Sequence, residues 1–169
     1  SDALLYGSLV ASRTHTLPVS EIEDRLLRFA RLKAANPGMR LYVFGTIMRT
    51  PRASAGGVEP PYYEEYGPSI FRITALRDKA ETNGLTHAEE NELRALTAAV
   101  PAEALTDWYE RREKNFAANV RLVEMARNGT LSYLLLGRDD CSPLSQTHME
   151  SRHIAAAAAG LPASRYASF

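Results

Sequence analysis

The pair Asp139-Asp140 has the most chemical content in this sequence, because it follows the apolar run Tyr133-Leu134-Leu135-Leu136 through Gly137-Arg138. Neighbouring carboxyl groups can bind a cation. They can also act as polarising base and general acid, once repulsion and desolvation separate their pKa values. A plainer role fits equally well, with one aspartate capping the next helix and the other pairing with Arg49 or Arg138. Both roles stay open here. Arg49 closes a second apolar run, 40–48, and an arginine there needs water, a carboxylate or an anionic ligand. Tyr6 ends a third run, and Ala11-Ser12-Arg13-Thr14-His15 continues from it, so Tyr6 and Arg13 join the candidates for binding substrate.

Other residue patterns are less specific. Glu150 and His153 stand at i, i+3, a spacing found in carboxylate–histidine metal sites, with His148 on a different helical face. A solvated helix surface accounts for them equally. Arg112, Asn115 and Asn119 form a polar stripe at i, i+3, i+7 on a long helical segment. Asparagine is a poor choice for an exposed helix interior, so this stripe reads as a buried network or as a ligand-facing ladder. Tyr62, Tyr63 and Tyr66, interleaved with Glu64 and Glu65, suit stacking on a carbohydrate or stapling of a loop.

The elements that must position these groups alternate along the chain. Strands are expected at 3–10, 40–48 and 131–137, with a short one at the end, 165–169. The continuous run Leu41-Tyr42-Val43-Phe44 predicts a strand covered on both faces. A capping box at Ser20–Glu23 predicts a helix to Asn36-Pro37-Gly38, and a second at Thr86–Glu89 begins another. Gly67-Pro68 predicts a helix start, leaving a long irregular loop from Thr50 to Tyr66. A long helix is expected from Pro101 to Arg127. A last one, with Ser142-Pro143 or Ser145 at its start, contains the alanine run 155–159. This order predicts an α/β fold with a parallel sheet: a partial (β/α) barrel or, alternatively, an open doubly wound sheet. In both, chemistry gathers where the strands end.

Composition narrows the function. The 169 residues carry 20 basic and 20 acidic side chains, which argues against nucleic acid or an anionic membrane surface as the partner. No apolar run approaches the roughly 20 residues that span a bilayer. The single Cys141 excludes an internal disulfide and a multi-cysteine zinc cage. No Gly-x-Gly-x-x-Gly, Walker loop or Gly-x-Ser-x-Gly elbow is present, and no cofactor is expected.

Several of these segments resemble one bacterial family catalogued as a large domain of unknown function. They are Leu4-Leu5-Tyr6-Gly7-Ser8-Leu9-Val10-Ala11-Ser12-Arg13, Ile47-Met48-Arg49-Thr50-Pro51 and Tyr63-Glu64-Glu65-Tyr66-Gly67. Arg111-Arg112-Glu113-Lys114-Asn115 with Asn119, and Leu136-Gly137-Arg138-Asp139-Asp140, complete the set. Ser8 departs from the family's second glycine, and Ser142-Pro143-Leu144-Ser145 from its Pro-Tyr-Gly turn. The resemblance implies a (β/α) barrel and a longer parent. The chain is therefore expected to be a single-domain fragment, 1–169, truncated at both ends. Homo-oligomer contacts through the exposed edges are expected with it.

Adjacent aspartates ending a barrel strand are similar to those of glycosidases that use the substrate's acetamido group. On that likeness the chain is expected to belong to a hydrolase of glycosidic bonds. Asp139 and Asp140 are then catalytic, and Tyr6, Arg13, Arg49, Tyr63, Tyr66, Arg112 and Asn115 bind a small-molecule or carbohydrate substrate. A metal-dependent hydrolase using Asp139, Asp140, Glu150 and His153, and a non-catalytic sugar-binding module, are the alternatives. Nothing in the sequence assigns a compartment.

Overall fold

Long-range pairing of two apolar runs builds the centre of the molecule. The computed structural model describes residues 1–8, 13–53 and 57–169. Among them are helices α1 (Asp2–Tyr6), α2 (Val19–Ala35), α3 (Tyr63–Thr82), α4 (His87–Ala99), α5 (Ala102–Arg127) and α6 (Gln146–Ala157). The strands are β1 (Tyr42–Ile47), β2 (Tyr133–Arg138) and β3 (Tyr166–Ser168). They form one parallel sheet in the order β1-β2-β3, with Val43 opposite Leu134, Ile47 opposite Arg138, and Leu134 opposite Tyr166. The α/β class with a parallel sheet is confirmed, and the sheet is open.

One face of the sheet carries the main core. Val43 and Ile47 of β1 and Leu134 and Leu136 of β2 pack against Leu5, Ile22, Leu26, Leu122, Val123, Ala126 and Ile154. Helices α1, α2, α5 and α6 therefore lie on this side. A second cluster joins Tyr63, Ile70 and Ile73 of α3 to Leu105 and Trp108 of α5. The other face is open: Tyr42 is 67% and Phe44 50% exposed. This corrects the expectation of a β1 covered on both sides. A continuous apolar run shows that both faces tolerate burial, without supplying the layer that would bury the second.

Two further expectations change. The strand predicted at 3–10 is the helix α1 over Asp2–Tyr6, ended by Gly7 in the left-handed conformation (φ 95°), where only a missing Cβ is comfortable. Positions 9 and 10, like Ala11, Ser12 and Gly56, lie outside the described residues. A run as short as Ala3-Leu4-Leu5-Tyr6 does not distinguish the two structures, and contact with α2 settles it. Helix α3 starts at Tyr63, so Pro68 lies inside it and Tyr63 and Tyr66 belong to the helix. The loop on which they were expected to sit is correspondingly shorter.

Local signals placed the remaining ends. Thr86 and Glu89 form a reciprocal capping box at α4. Ser145 caps α6 by accepting from the His148 N–H. Helix α2 instead starts two residues early, with Pro18 at its N-cap and no side-chain cap from Ser20.

Candidate functional site

The chain leaves β1 through Met48-Arg49-Thr50, a segment whose backbone groups need partners beyond the sheet. Helix α5 provides them. Arg112 donates from Nη2 to the Met48 carbonyl (2.8 Å) and from Nη1 to the Arg49 carbonyl (2.9 Å). Asn115 accepts the Met48 N–H (3.3 Å) and donates to Thr46 O (3.2 Å), and Asn119 donates to Thr46 O (3.1 Å). The polar stripe is a buried network that holds the end of β1, as its composition suggested. Asn115 also donates to the Tyr6 hydroxyl (3.3 Å), tying α1 to the same point. Tyr6 is buried, and burial raises its phenol pKa above the ordinary value.

Glu150 completes the closed part of the site. Its carboxylate takes Nε (2.8 Å) and Nη2 (2.7 Å) of Arg112, so two buried and oppositely charged groups match edge to edge. His153 points elsewhere, to Glu81 (2.9 Å). The i, i+3 pair is thus split between a buried ion pair and the surface. Among the described residues no three His, Cys, Asp or Glu side chains are placed to hold a metal.

The other half of the site is open. Arg13 and Glu59, both buried, form an ion pair, and Arg49 Nε reaches the same Glu59 oxygen at 3.2 Å. Asp139 stands beside this group, with Oδ2 at 3.9 Å from Arg13 Nη2 and its side chain 42% exposed. Its backbone N–H donates to Ile47 O (3.2 Å), a bond one residue past the end of the β1–β2 ladder. Asp140 turns the chain instead: Oδ1 accepts the Ser142 N–H (2.8 Å), an aspartate turn. Its Oδ2 is buried without a hydrogen-bond partner among the described residues.

The structure therefore brings Tyr6, Arg13, Arg49, Arg112, Asn115, Asp139 and Asp140 to one end of the sheet. Tyr63 joins them from α3, fully buried, with its hydroxyl donating to Pro51 O (2.8 Å). Burial raises its pKa, and the charge of Glu59 adds to the effect. Tyr66 is on the same helix, half-buried, and packs against the second cluster.

Two residues at the site escape the sequence reading. Glu59 lies in the irregular stretch after β1, where the only signal was the length of the loop. Asp2 is buried at the start of α1. Burial raises its pKa, the charge of Asp139 raises it further, and Arg13 opposes both. His15 stacks on Tyr6 (ring centroids 4.7 Å apart) and accepts the Leu17 N–H. Burial, together with Lys114, Arg111 and Arg25, lowers its pKa to about 4. An apolar groove of about 980 Å³ between α2 and α5, lined by Ile22, Leu26, Phe116 and Val120, contains none of the candidate site residues.

Fold and site together define a parallel α/β chain with a charged cluster at the strand ends, the place where such sheets carry their chemistry. The chain belongs to the DUF4127 family, described as a protein of unknown function, whose family model matches residues 1–169. No curated protein and no solved structure matches it.

Proposed function

We propose that the chain supplies the site of a hydrolase acting on a glycosidic bond, with the sugar resting over the ends of β1 and β2. The observation that supports this reading is the setting of Asp139. A partly exposed carboxylate extends from a sheet ladder beside an arginine pair already organised on the buried Glu59. Groups fixed in this way lose little reorganisation energy when charge develops on a substrate. Asp139 then faces the reacting bond. Arg49 and Arg13 hold polar groups of the sugar, and Asp140 shapes the loop and lends its free oxygen. Carboxyl groups close together suit hydrolysis in which one polarises and the other transfers the proton. In a (β/α) barrel, this end would be the catalytic mouth.

A sugar-binding module is favoured by one observation, that Asp140 already spends Oδ1 on the Ser142 N–H. Hydrolysis of a panel of aryl glycosides by the chain and by Asp139→Asn decides between them. The hydrolase reading expects release of the phenol, with a loss of about 10² or more in Asp139→Asn at unchanged melting temperature. Sugar-dependent shifts of the Asp139 and Arg49 resonances without turnover would establish the binding module. Neither turnover nor shifts would overturn both.

A further inference from the structure

The apolar groove between α2 and α5 lies apart from the strand-end residues. Helix α5 turns Arg112, Asn115 and Asn119 to the end of β1, and Ala117, Val120 and Arg121 to the groove. Helix α2 supplies Val19, Ile22, Leu26 and Leu27, spaced as one helical stripe. Val19 is 49% and Leu27 41% exposed, and Phe116 and Val120 are only half-buried. Together they make an apolar floor open to solvent, of the kind that marks an interaction surface.

The rim is acidic. Glu110, Glu113 and Glu124 stand at i, i+3 and i+14 on one side of α5, and Glu23 joins them from α2. The two cations of the groove are already engaged. Lys114 Nζ donates to Leu17 O (3.2 Å), and Arg121 Nη1 to Glu124 (2.5 Å). Arg77, which lies near Glu110 and Glu113 on the far flank of α5, rests over the Tyr109 ring. Among the described residues Glu23, Glu110 and Glu113 have no ion-pair partner.

We infer that this groove docks an amphipathic helix of a partner protein, with an apolar stripe for the floor and lysines or arginines for the rim. Both walls are α-helices, whose backbone groups are bonded within each helix, so the groove has no sheet edge to pair with an extended peptide. The occupant satisfies its own backbone, as a helix does. A fatty-acid chain would match the floor but bring its carboxylate against the glutamates. A second copy placed by a two-fold axis would set the glutamates against themselves. Basic side chains turn that repulsion into attraction.

The probe is a helical peptide of leucine and lysine with its leucines on one face, titrated into the ¹⁵N-labelled chain. A second peptide has glutamate in place of every lysine. The lysine peptide is expected to shift the Leu27, Ala117 and Val120 amide resonances, and the glutamate peptide to leave them in place. Glu110→Gln combined with Glu113→Gln should weaken binding about tenfold and reduce its dependence on salt. Leu27→Ser should also weaken it, with the salt dependence unchanged. All three positions are exposed, so these variants are expected to keep the wild-type melting temperature. Glu64→Gln, at an exposed position on α3, should bind as wild type does. Equal binding of the two peptides, or an equal loss in Glu64→Gln, overturns the proposal. So do shifts that miss the groove, or no binding at all. A dimer that Leu27→Ser dissolves in sedimentation would give the groove to a second copy and overturn it too. Should a variant not fold, the comparison of the two peptides on the wild-type chain decides alone.

Discussion

Two charged clusters flank the end of β1, and they are built in opposite ways. In the Arg112–Glu150 cluster every guanidinium nitrogen has a carboxylate or carbonyl partner, both side chains are buried, and Thr147 adds a bond to Met48 O. In the Asp139 cluster, the carboxylate of Asp139 faces solvent beside Arg13, and Asp140 keeps a buried oxygen with no hydrogen-bond partner among the described residues. The first arrangement fixes backbone; the second leaves chemical capacity unspent. Proteins place unsatisfied charge where function needs it and surround it with groups that are fully satisfied. The closed cluster is thus the frame of the open one.

That contrast can be broken from either side. The largest effect is expected for Arg112→Met, which strands the Glu150 charge and frees the Met48 and Arg49 carbonyls. A loss of about 3–5 kcal/mol in urea unfolding is the expected cost. If Arg112→Met is as stable as wild type, the closed cluster is not the frame. Next is Gly45→Ala, whose Cβ would sit 2.6 Å from Leu136 Cδ2 in the core and crowd α1 from below. It should cost about 1–3 kcal/mol and shift the Asp2 resonances with it.

A shallower effect concerns His15. Its folded pKa of about 4 lies below the ordinary 6.5, so the fold favours the neutral ring. The stability it contributes is full above pH 6.5 and is lost as pH falls through that window towards about 4. His15→Gln should flatten this part of the stability–pH curve. The smallest effect has the opposite sign. Asp2 has a raised folded pKa, so its contribution is full below the ordinary aspartate value and fades as pH rises through the folded one. Asp2→Asn is therefore expected to melt slightly higher than wild type at neutral pH, with the gap closing in acid. A lower melting temperature at neutral pH would show that Asp2 belongs to the frame.

The parts of this structure that sequence could reveal are those with local causes. Thr86 and Glu89 stand three residues apart, so their capping box is visible without a fold. The apolar runs before Arg49 and Asp139 announce strands, and the asparagines on α5 announce burial, because each conflicts with an exposed helix or a loop. Helix α3 was harder. Gly67-Pro68 imitates a helix start, whereas the helix begins at Tyr63, whose ring occupies the space a Cβ on Gly67 would need. Asp2 and Glu59 had no local signal, since burial, arginines and a second carboxylate reach them only through the fold. The open face of Tyr42 and Phe44 was hidden for the same reason, because hydrophobicity does not say which layer is present.

The register that sets the end of β1 beside Asp139 also sets when the site can exist during folding. Strand β1 meets β2 only after three intervening helices have been looped out. Contacts of such long sequence separation carry the largest closure entropy and belong to the last steps of assembly. Substitutions at the open cluster should then change the unfolding arm of a chevron and leave the folding arm in place. The open cluster is, in kinetic terms, free to vary without obstructing the route by which the rest of the chain folds.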